Sequence, residues 1–292
     1  MTSGKFTPRD YQTPSALRDG LEARLAAEAT RRGIDVNRLR RQVGFERLLV
    51  RLSADTTGRW ILKGGLALEF RLPDLARTTR DLDLAVLDAD DSRQVHVLLM
   101  NALGSDVQGD YFAFAVSPPR PLQADRAGRP GWRFPIQARL AARTFVTVRL
   151  EVVARAEEIR GGTEPLTFAS SLAFANYPPS VTVEAVDLAQ HAAEKFHALT
   201  RTYGERPNTR VKDLVDLVLL IENEMLDPAR LRERLEMVFN ARGTHQMPDD
   251  LPAPPAAWER DYAALVADLD IEARTVNAAL DCVRPIWQAC RT

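Results

Sequence analysis

Residues 60–86 read Trp60-Ile61-Leu62-Lys63-Gly64-Gly65-Leu66-Ala67-Leu68-Glu69-Phe70-Arg71-Leu72-Pro73-Asp74-Leu75-Ala76-Arg77-Thr78-Thr79-Arg80-Asp81-Leu82-Asp83-Leu84-Ala85-Val86, and the order of patterns in this stretch decides the fold. The apolar run at 60–62 predicts a short buried strand, Gly64-Gly65 a tight turn, and 66–71 a helix. Glycine lets the backbone turn tightly and approach a ligand, while the free amides at a helix start attract anions. Sixteen positions after Gly65 comes a period-two alternation, which puts Asp81 and Asp83 on one strand face and Leu82, Leu84 and Val86 on the other. Two carboxylates on one face repel unless a cation lies between them, and hard oxygen donors favour Mg²⁺. A solvated strand end would alternate in the same way. With the glycine turn at this distance upstream, the pair reads as a phosphate cradle followed by metal ligands.

A second cluster lies in the C-terminal half. Residues 187–203 predict a helix capped by Asp187, on which Lys195 shares a stripe with Leu188, Ala192 and Leu199. An inward-facing lysine needs an anionic partner. In the next segment, 210–220, Asp213 and Asp216 occupy one helical turn, and Asp216 lies beside Leu219 and Leu220. Helical spacing alone leaves two readings open: a structural Lys195–Asp216 pair across packed helices, or two functional groups.

Together these motifs resemble the DNA-polymerase-β-type nucleotidyltransferase superfamily, whose mark is Gly-Gly, a short helix and then Asp-x-Asp on the next strand. More narrowly, Lys63-Gly64-Gly65, Arg77-Thr78-Thr79-Arg80-Asp81-Leu82-Asp83, the helical Lys195 motif and Arg210-Val211-Lys212-Asp213-Leu214-Val215-Asp216-Leu217 are similar to the AbiEii/MenT nucleotidyltransferase toxins of bacterial toxin-antitoxin systems. The resemblance implies an α+β, two-lobed nucleotidyltransferase-like fold with a mixed sheet core and a helical C-terminal lobe. It also implies an NTP substrate, Mg²⁺ or Mn²⁺ held by Asp81 and Asp83, phosphate contacts from Lys195, and a requirement for Asp216. Lys63, Gly64, Gly65, Thr79 and Arg80 complete the expected nucleotide-binding set. The implied acceptor is RNA, at the 3′ end of tRNA, and the implied partner is an antitoxin, which in this family can act by modifying a hydroxyl near the site. Thr79 is the preferred candidate for that modification, with Thr78 beside it. Two alternatives keep the same motifs: transfer to a protein or small-molecule hydroxyl, and a degenerate nucleotide-binding regulatory domain.

Related enzymes often carry a third carboxylate on a later strand, and Glu151 is the candidate here. Alternation over 144–153 sets Thr147, Arg149 and Glu151 on one face. Glu151 can then be a ligand, a salt-bridge partner or a surface residue. Leu66 stands where many nucleotidyltransferases carry a phosphate-touching hydroxyl, which shifts the burden to backbone amides, Thr78, Thr79 and Arg80.

The chain has 292 residues, 45% of them hydrophobic, and a formal net charge of −1, ordinary for a globular protein large enough for two lobes. Residues 1–51 carry eleven Lys/Arg against six Asp/Glu. Arg31, Arg32, Arg38, Arg40, Arg41, Arg47 and Arg51 there suit an RNA backbone or a solvated helix face. The expected organisation is a basic helical arm (1–57), an α/β core (58–185) and a helical lobe (186–292). Residues 132–139 and 144–153 predict a hairpin across Ala141-Ala142, and 166–183 reads as irregular around Pro178-Pro179. Helices are predicted at 187–203, 211–224, 228–241, 258–269 and 272–290, the last interrupted near Pro285. Cys282 and Cys290, eight residues apart on one helix, are about 12 Å apart, too far for a disulfide. The four histidines show no zinc spacing, and His191 and His197 read as packing or surface residues. No apolar run suits a membrane span and the start lacks a signal core, so a cytoplasmic protein is expected.

Overall fold

The computed structural model describes residues 10–87, 89, 91–122, 130–154, 159, 161–204 and 207–291. Helices α1 (Pro14–Arg32) and α2 (Val36–Ala54) come first, capped by the side chains of Thr13 and Asp35. Strand β1 (Trp60–Lys63) then runs directly into α3 (Gly64–Arg71), and β2 (Asp81–Val86) follows, as the pattern predicts. After α4 (Ser92–Gly104) come β3 (Ala113–Val116), β4 (Arg120–Pro121), β5 (Gly131–Leu140), β6 (Arg143–Ala154), β7 (Thr163–Ala169) and β8 (Ser180–Val186). The C-terminal lobe is helical: α5 (Leu188–Thr200), α6 (Val211–Glu222), α7 (Pro228–Arg242), α8 (Trp258–Val266) and α9 (Val276–Ala289).

The described strands form one mixed sheet in the order β3-β5-β6-β2-β1-β8-β7, with β4 on β5. Strand β2 pairs antiparallel with β1 and parallel with β6, and β1 pairs parallel with β8. One face is filled by α2, α3 and α4: Phe45, Leu48, Leu66 and Leu99 pack with Leu62, Leu82, Leu84, Val148 and Leu150. This face takes the apolar half of every alternating strand, and so the opposite face receives Asp81, Asp83, Arg149 and Glu151. The helical lobe closes around Phe196, Leu214, Leu217, Tyr262 and Trp287, and its core reaches back to Leu68, Leu72 and Ala76 beside α3. That shared core fixes α5 and α6 against the end of the sheet that carries Asp81 and Asp83.

Several local readings need correction. The 166–183 stretch is two paired strands, β7 and β8, in register from Thr163↔Val186 to Ala169↔Ser180, with Pro178-Pro179 in the connection. Pro285 lies inside an unbroken α9; it sits on the exposed side, where water can satisfy the carbonyl it deprives of a donor. Arg47 and Arg51, grouped with a basic surface by sequence, are 0% and 1% exposed. Arg51 makes a two-pronged contact with buried Asp110 at 2.6 and 3.0 Å, and Arg47 pairs with Glu46 and with Asp110 at 3.4 Å. These two arginines pin α2 to the 106–112 segment and are out of reach of a ligand. Among the described residues, no helix is long and apolar enough to cross a membrane.

Candidate active site

The strand register aligns a row of charges across four strands: Lys63 on β1, Asp83 on β2, Glu151 on β6 and Arg133 on β5. One step along, Asp81 pairs in register with Arg149, and their side chains form an ion pair at 2.7 Å. Glu151 is held by Arg133 at 2.5 Å. Asp83 sits between Lys63 and Glu151 in the row, and its carboxyl is pushed up to about 7. Burial is the main cause, the charges of Glu151 and Asp81 add to it, and Lys63 and Lys195 pull the other way. Gly64 is required here twice over. Its φ is +65°, and a Cβ at that position would run into the Asp83 carboxylate.

The opposite wall comes from the helical lobe. Lys195, on α5, donates to Asp216 at 2.6 Å and to Asp213 at 3.2 Å. Arg77, from the loop before β2, grips Asp216 with two hydrogen bonds of 2.8 Å. Asp216 is fully buried, which by itself would raise its pKa; Lys195 and Arg77 outweigh that and hold it down to about 2. Burial opposes the charge on Lys195, but Asp216 and Asp213 overcome it and raise the pKa. Glu194, the neighbour of Lys195, binds Lys63 at 2.5 Å and lies 3.4 Å from Arg242. The turn lysine is thus tied to the helical wall.

Between the walls lies a cleft of about 1140 Å³ lined by Lys63, Gly64, Gly65, Thr78, Thr79, Arg80, Asp81, Asp83, Glu151 and Lys195. Ten Lys/Arg side chains line it against seven Asp/Glu, so it is a cationic groove with an acidic strip on its sheet side. Asp216 is absent from the lining and touches the cleft only through Lys195 and Arg77. Thr79 is half-buried and its hydroxyl donates to the Asp81 carbonyl at 3.2 Å, whereas Thr78 and Arg80 are exposed. Among the described residues, no three His, Cys, Asp or Glu side chains converge to hold a metal alone.

Sequence reasoning missed three participants. Arg77 was visible only as part of the Arg-Thr-Thr-Arg run, and its target lies 139 positions away. Glu194 stands next to the expected lysine, yet no helical rule assigns it to Lys63. His191, read as packing or surface, is buried and lines the cleft. His197 is also buried, bridged through Thr244 to His245.

Comparison with known proteins fits this geometry. Residues 47–283 match the family described as nucleotidyl transferase AbiEii toxin, type IV toxin-antitoxin system. The chain belongs to the AbiEii family. As an AbiEii member it is an NTP-dependent nucleotidyltransferase. No curated protein matches it significantly. Solved structures similar to this AbiEii chain include that of an H. pylori protein proposed to be a nucleotidyltransferase, at 16% identity and a TM-score of 0.39 over 85% of this chain and 88% of that one. A nucleotidyltransferase-like antigenic protein from Paracoccidioides brasiliensis matches at 14% identity and a TM-score of 0.41, over 82% and 96%. The antibiotic-resistance factor ANT(2'')-Ia matches at 14% and a TM-score of 0.37, over 69% and 92%. Overlap at these scores is partial, and the AbiEii assignment rests on the sequence match.

Proposed function

We propose that the chain transfers a nucleoside monophosphate from an NTP to RNA, with the 3′ end of tRNA as acceptor. The product would be a tRNA that cannot be aminoacylated, which would halt translation. The observation that carries this reading is the convergence on one cationic cleft of the Gly64-Gly65 turn, the Asp81–Asp83 pair and Lys195. The triphosphate lies at the turn, within reach of Lys63 and Lys195, with Thr79 and Arg80 beside it. The acceptor hydroxyl gives up its proton to solvent as its oxygen bonds to the α-phosphorus, and pyrophosphate leaves with the electron pair of the broken P–O bond.

Asp81 and Asp83 suit Mg²⁺ or Mn²⁺. They are oxygen donors on one strand face, and burial, with the charges of Glu151 and Asp81 added, raises the Asp83 pKa, which a bound cation would offset. Mg²⁺ is commonly held by one or two carboxylates together with substrate phosphates, so the two aspartates are a sufficient protein contribution. When bound, the ion would neutralise charge on the phosphates and the departing pyrophosphate. Glu151, occupied by Arg133, is assigned to tuning Asp83 ahead of direct ligation. Asp216 acts as a positioning residue. Oδ1 accepts from Arg77, Oδ2 accepts from Arg77 and Lys195, and the pKa is held down to about 2, which makes it a poor base and a firm anchor for Lys195 and Arg77.

The positive lining of the cleft, including Arg38, Arg41, Arg210 and Lys212, supports a polyanionic acceptor. Incubation with α-labelled NTPs, total tRNA and a cell lysate tests the reading. Label in RNA is the expected result, and label confined to protein would overturn the acceptor assignment. Control by an antitoxin through phosphate addition at Thr79 or Thr78 belongs to the same proposal, because a phosphate there would compete with NTP for the same cations. Thr78 offers the more accessible hydroxyl. Intact mass after coexpression with the neighbouring gene product should rise by one phosphate.

A further inference from the structure

His191 is the fourth residue of α5, one turn before Lys195. It is 3% exposed, and among the described residues neither ring nitrogen has a hydrogen-bond partner. Buried polar groups are nearly always paired, so an unpartnered imidazole marks either a cost the fold tolerates or a place where a ligand supplies the partner. Here the ring lines the active-site cleft. The charged groups around it are Lys63 from the end of β1, Arg71 from α3, Lys195 from its own helix and Asp216 from α6. Burial first, and then those cations, keep the ring neutral, with Asp216 opposing. A neutral imidazole offers one N–H donor and one acceptor nitrogen. In a cleft that Lys63 and Lys195 also line, the ligand chemistry that takes an N–H donor and suits cationic neighbours is an anionic oxygen.

We propose that His191 is a nucleotide-binding residue, whose imidazole N–H donates to an oxygen of the triphosphate seated at the Gly64-Gly65 turn. The inference rests on the nucleotidyl-transfer reading of the cleft and adds to it a phosphate contact. It accounts for a buried polar ring at the cleft with no hydrogen-bond partner among the described residues. His191 binds and orients the triphosphate; it neither abstracts nor supplies a proton in the transfer.

The test is calorimetric binding of inorganic tripolyphosphate, and of the four NTPs as α,β-methylene analogues, in Mg²⁺-containing buffer. His191→Leu removes the donor while keeping bulk. It is expected to weaken tripolyphosphate binding about 10- to 100-fold, and to leave the melting temperature unchanged or about 2–4 °C higher, because the unpaired polar group is gone. His191→Gln, which restores an N–H, is expected to recover part of the affinity. A purely structural histidine would give the reverse pattern, a lowered melting temperature with unchanged affinity in the folded fraction, and that would overturn the proposal. Should His191→Leu fail to fold, ring-¹⁵N spectra of the wild-type chain decide: the His191 signal, assigned with His191→Gln, should move on adding tripolyphosphate, and a static signal would overturn the proposal. If wild-type protein binds neither tripolyphosphate nor any NTP analogue, the cleft reading falls and this inference with it. If wild type binds and His191→Leu binds equally well, only this inference falls.

Discussion

The two walls of the cleft handle negative charge in opposite ways. On the sheet wall, Asp81, Asp83 and Glu151 share one strip, and the compensating Arg149 and Arg133 are both more than 40% exposed; Asp83 is left with its pKa raised to about 7. On the helical wall, Asp216 is enclosed by Lys195 and Arg77, and its pKa falls to about 2. One wall leaves a buried carboxyl with its pKa raised, and the other neutralises its buried carboxylate within the protein. The contrast bears on the two readings that helical spacing left open for Lys195 and Asp216, and it sets Asp216 apart from Asp81 and Asp83. In the proposed reading the sheet carboxylates receive a cation, while the buried carboxylate holds Lys195 and Arg77 in place.

The largest expected effect comes from the sheet wall. Asp83→Asn should reduce nucleotide transfer on the order of 10³-fold or more, while the melting temperature of the metal-free protein stays level or rises, because a poorly compensated charge has been removed. A matching fall in stability would mean that Asp83 is structural and would break the contrast. The helical wall should behave in reverse. Asp216→Asn leaves Lys195 and Arg77 buried with one counter-charge missing and should cost about 3–5 kcal/mol in denaturant unfolding, with transfer lost as Lys195 is released. An unchanged unfolding midpoint would sink the anchoring role.

A finer comparison comes from pH. The unfolded chain releases the Asp83 proton near 3.8, and the folded protein holds it to about 7. Within that window the native state binds more protons, so this group's contribution to stability falls as pH rises from about 4 to 7. Asp216 has the opposite sign: its contribution is fully present above about pH 4 and is lost as pH falls through about 2. Melting curves of metal-free wild type and Asp83→Asn between about pH 4.5 and 8 should therefore diverge, with the variant gaining relative to wild type as pH rises. Parallel curves would contradict the raised Asp83 pKa. The smallest effect is expected at Glu151. Glu151→Gln should lower transfer about tenfold or less and return the Asp83 pKa towards its ordinary range, measurable by carboxyl ¹³C titration.

Much of this layout was legible in the sequence where the signal is local. The β1-turn-α3 unit and the Asp81–Asp83 face follow from periodicity over a dozen residues, and the β5–β6 hairpin and the face of Glu151 follow from alternation. The β7–β8 pair was hidden because Leu166 and Phe168 are separated from Val181 and Val183 by a proline-containing connection that dominates a local reading. The burial of Arg47 and Arg51 was hidden for a different reason: Asp110, their shared neutralising partner, lies about sixty residues away. Arg77 and His191 share that difficulty. What makes each one part of the site is a neighbour, or the lack of one, supplied by the folded chain and not by residues nearby in sequence.

The central claim, that this cleft adds a nucleotide to RNA using the sheet carboxylates, is tested most directly by sequencing the 3′ ends of total RNA after reaction with each NTP in turn, comparing wild type with Asp83→Asn. Wild-type protein is expected to leave added nucleotides at tRNA 3′ ends with at least one NTP, and Asp83→Asn to leave those ends unchanged. Unextended RNA with all four NTPs, or extension that persists in Asp83→Asn, would contradict it.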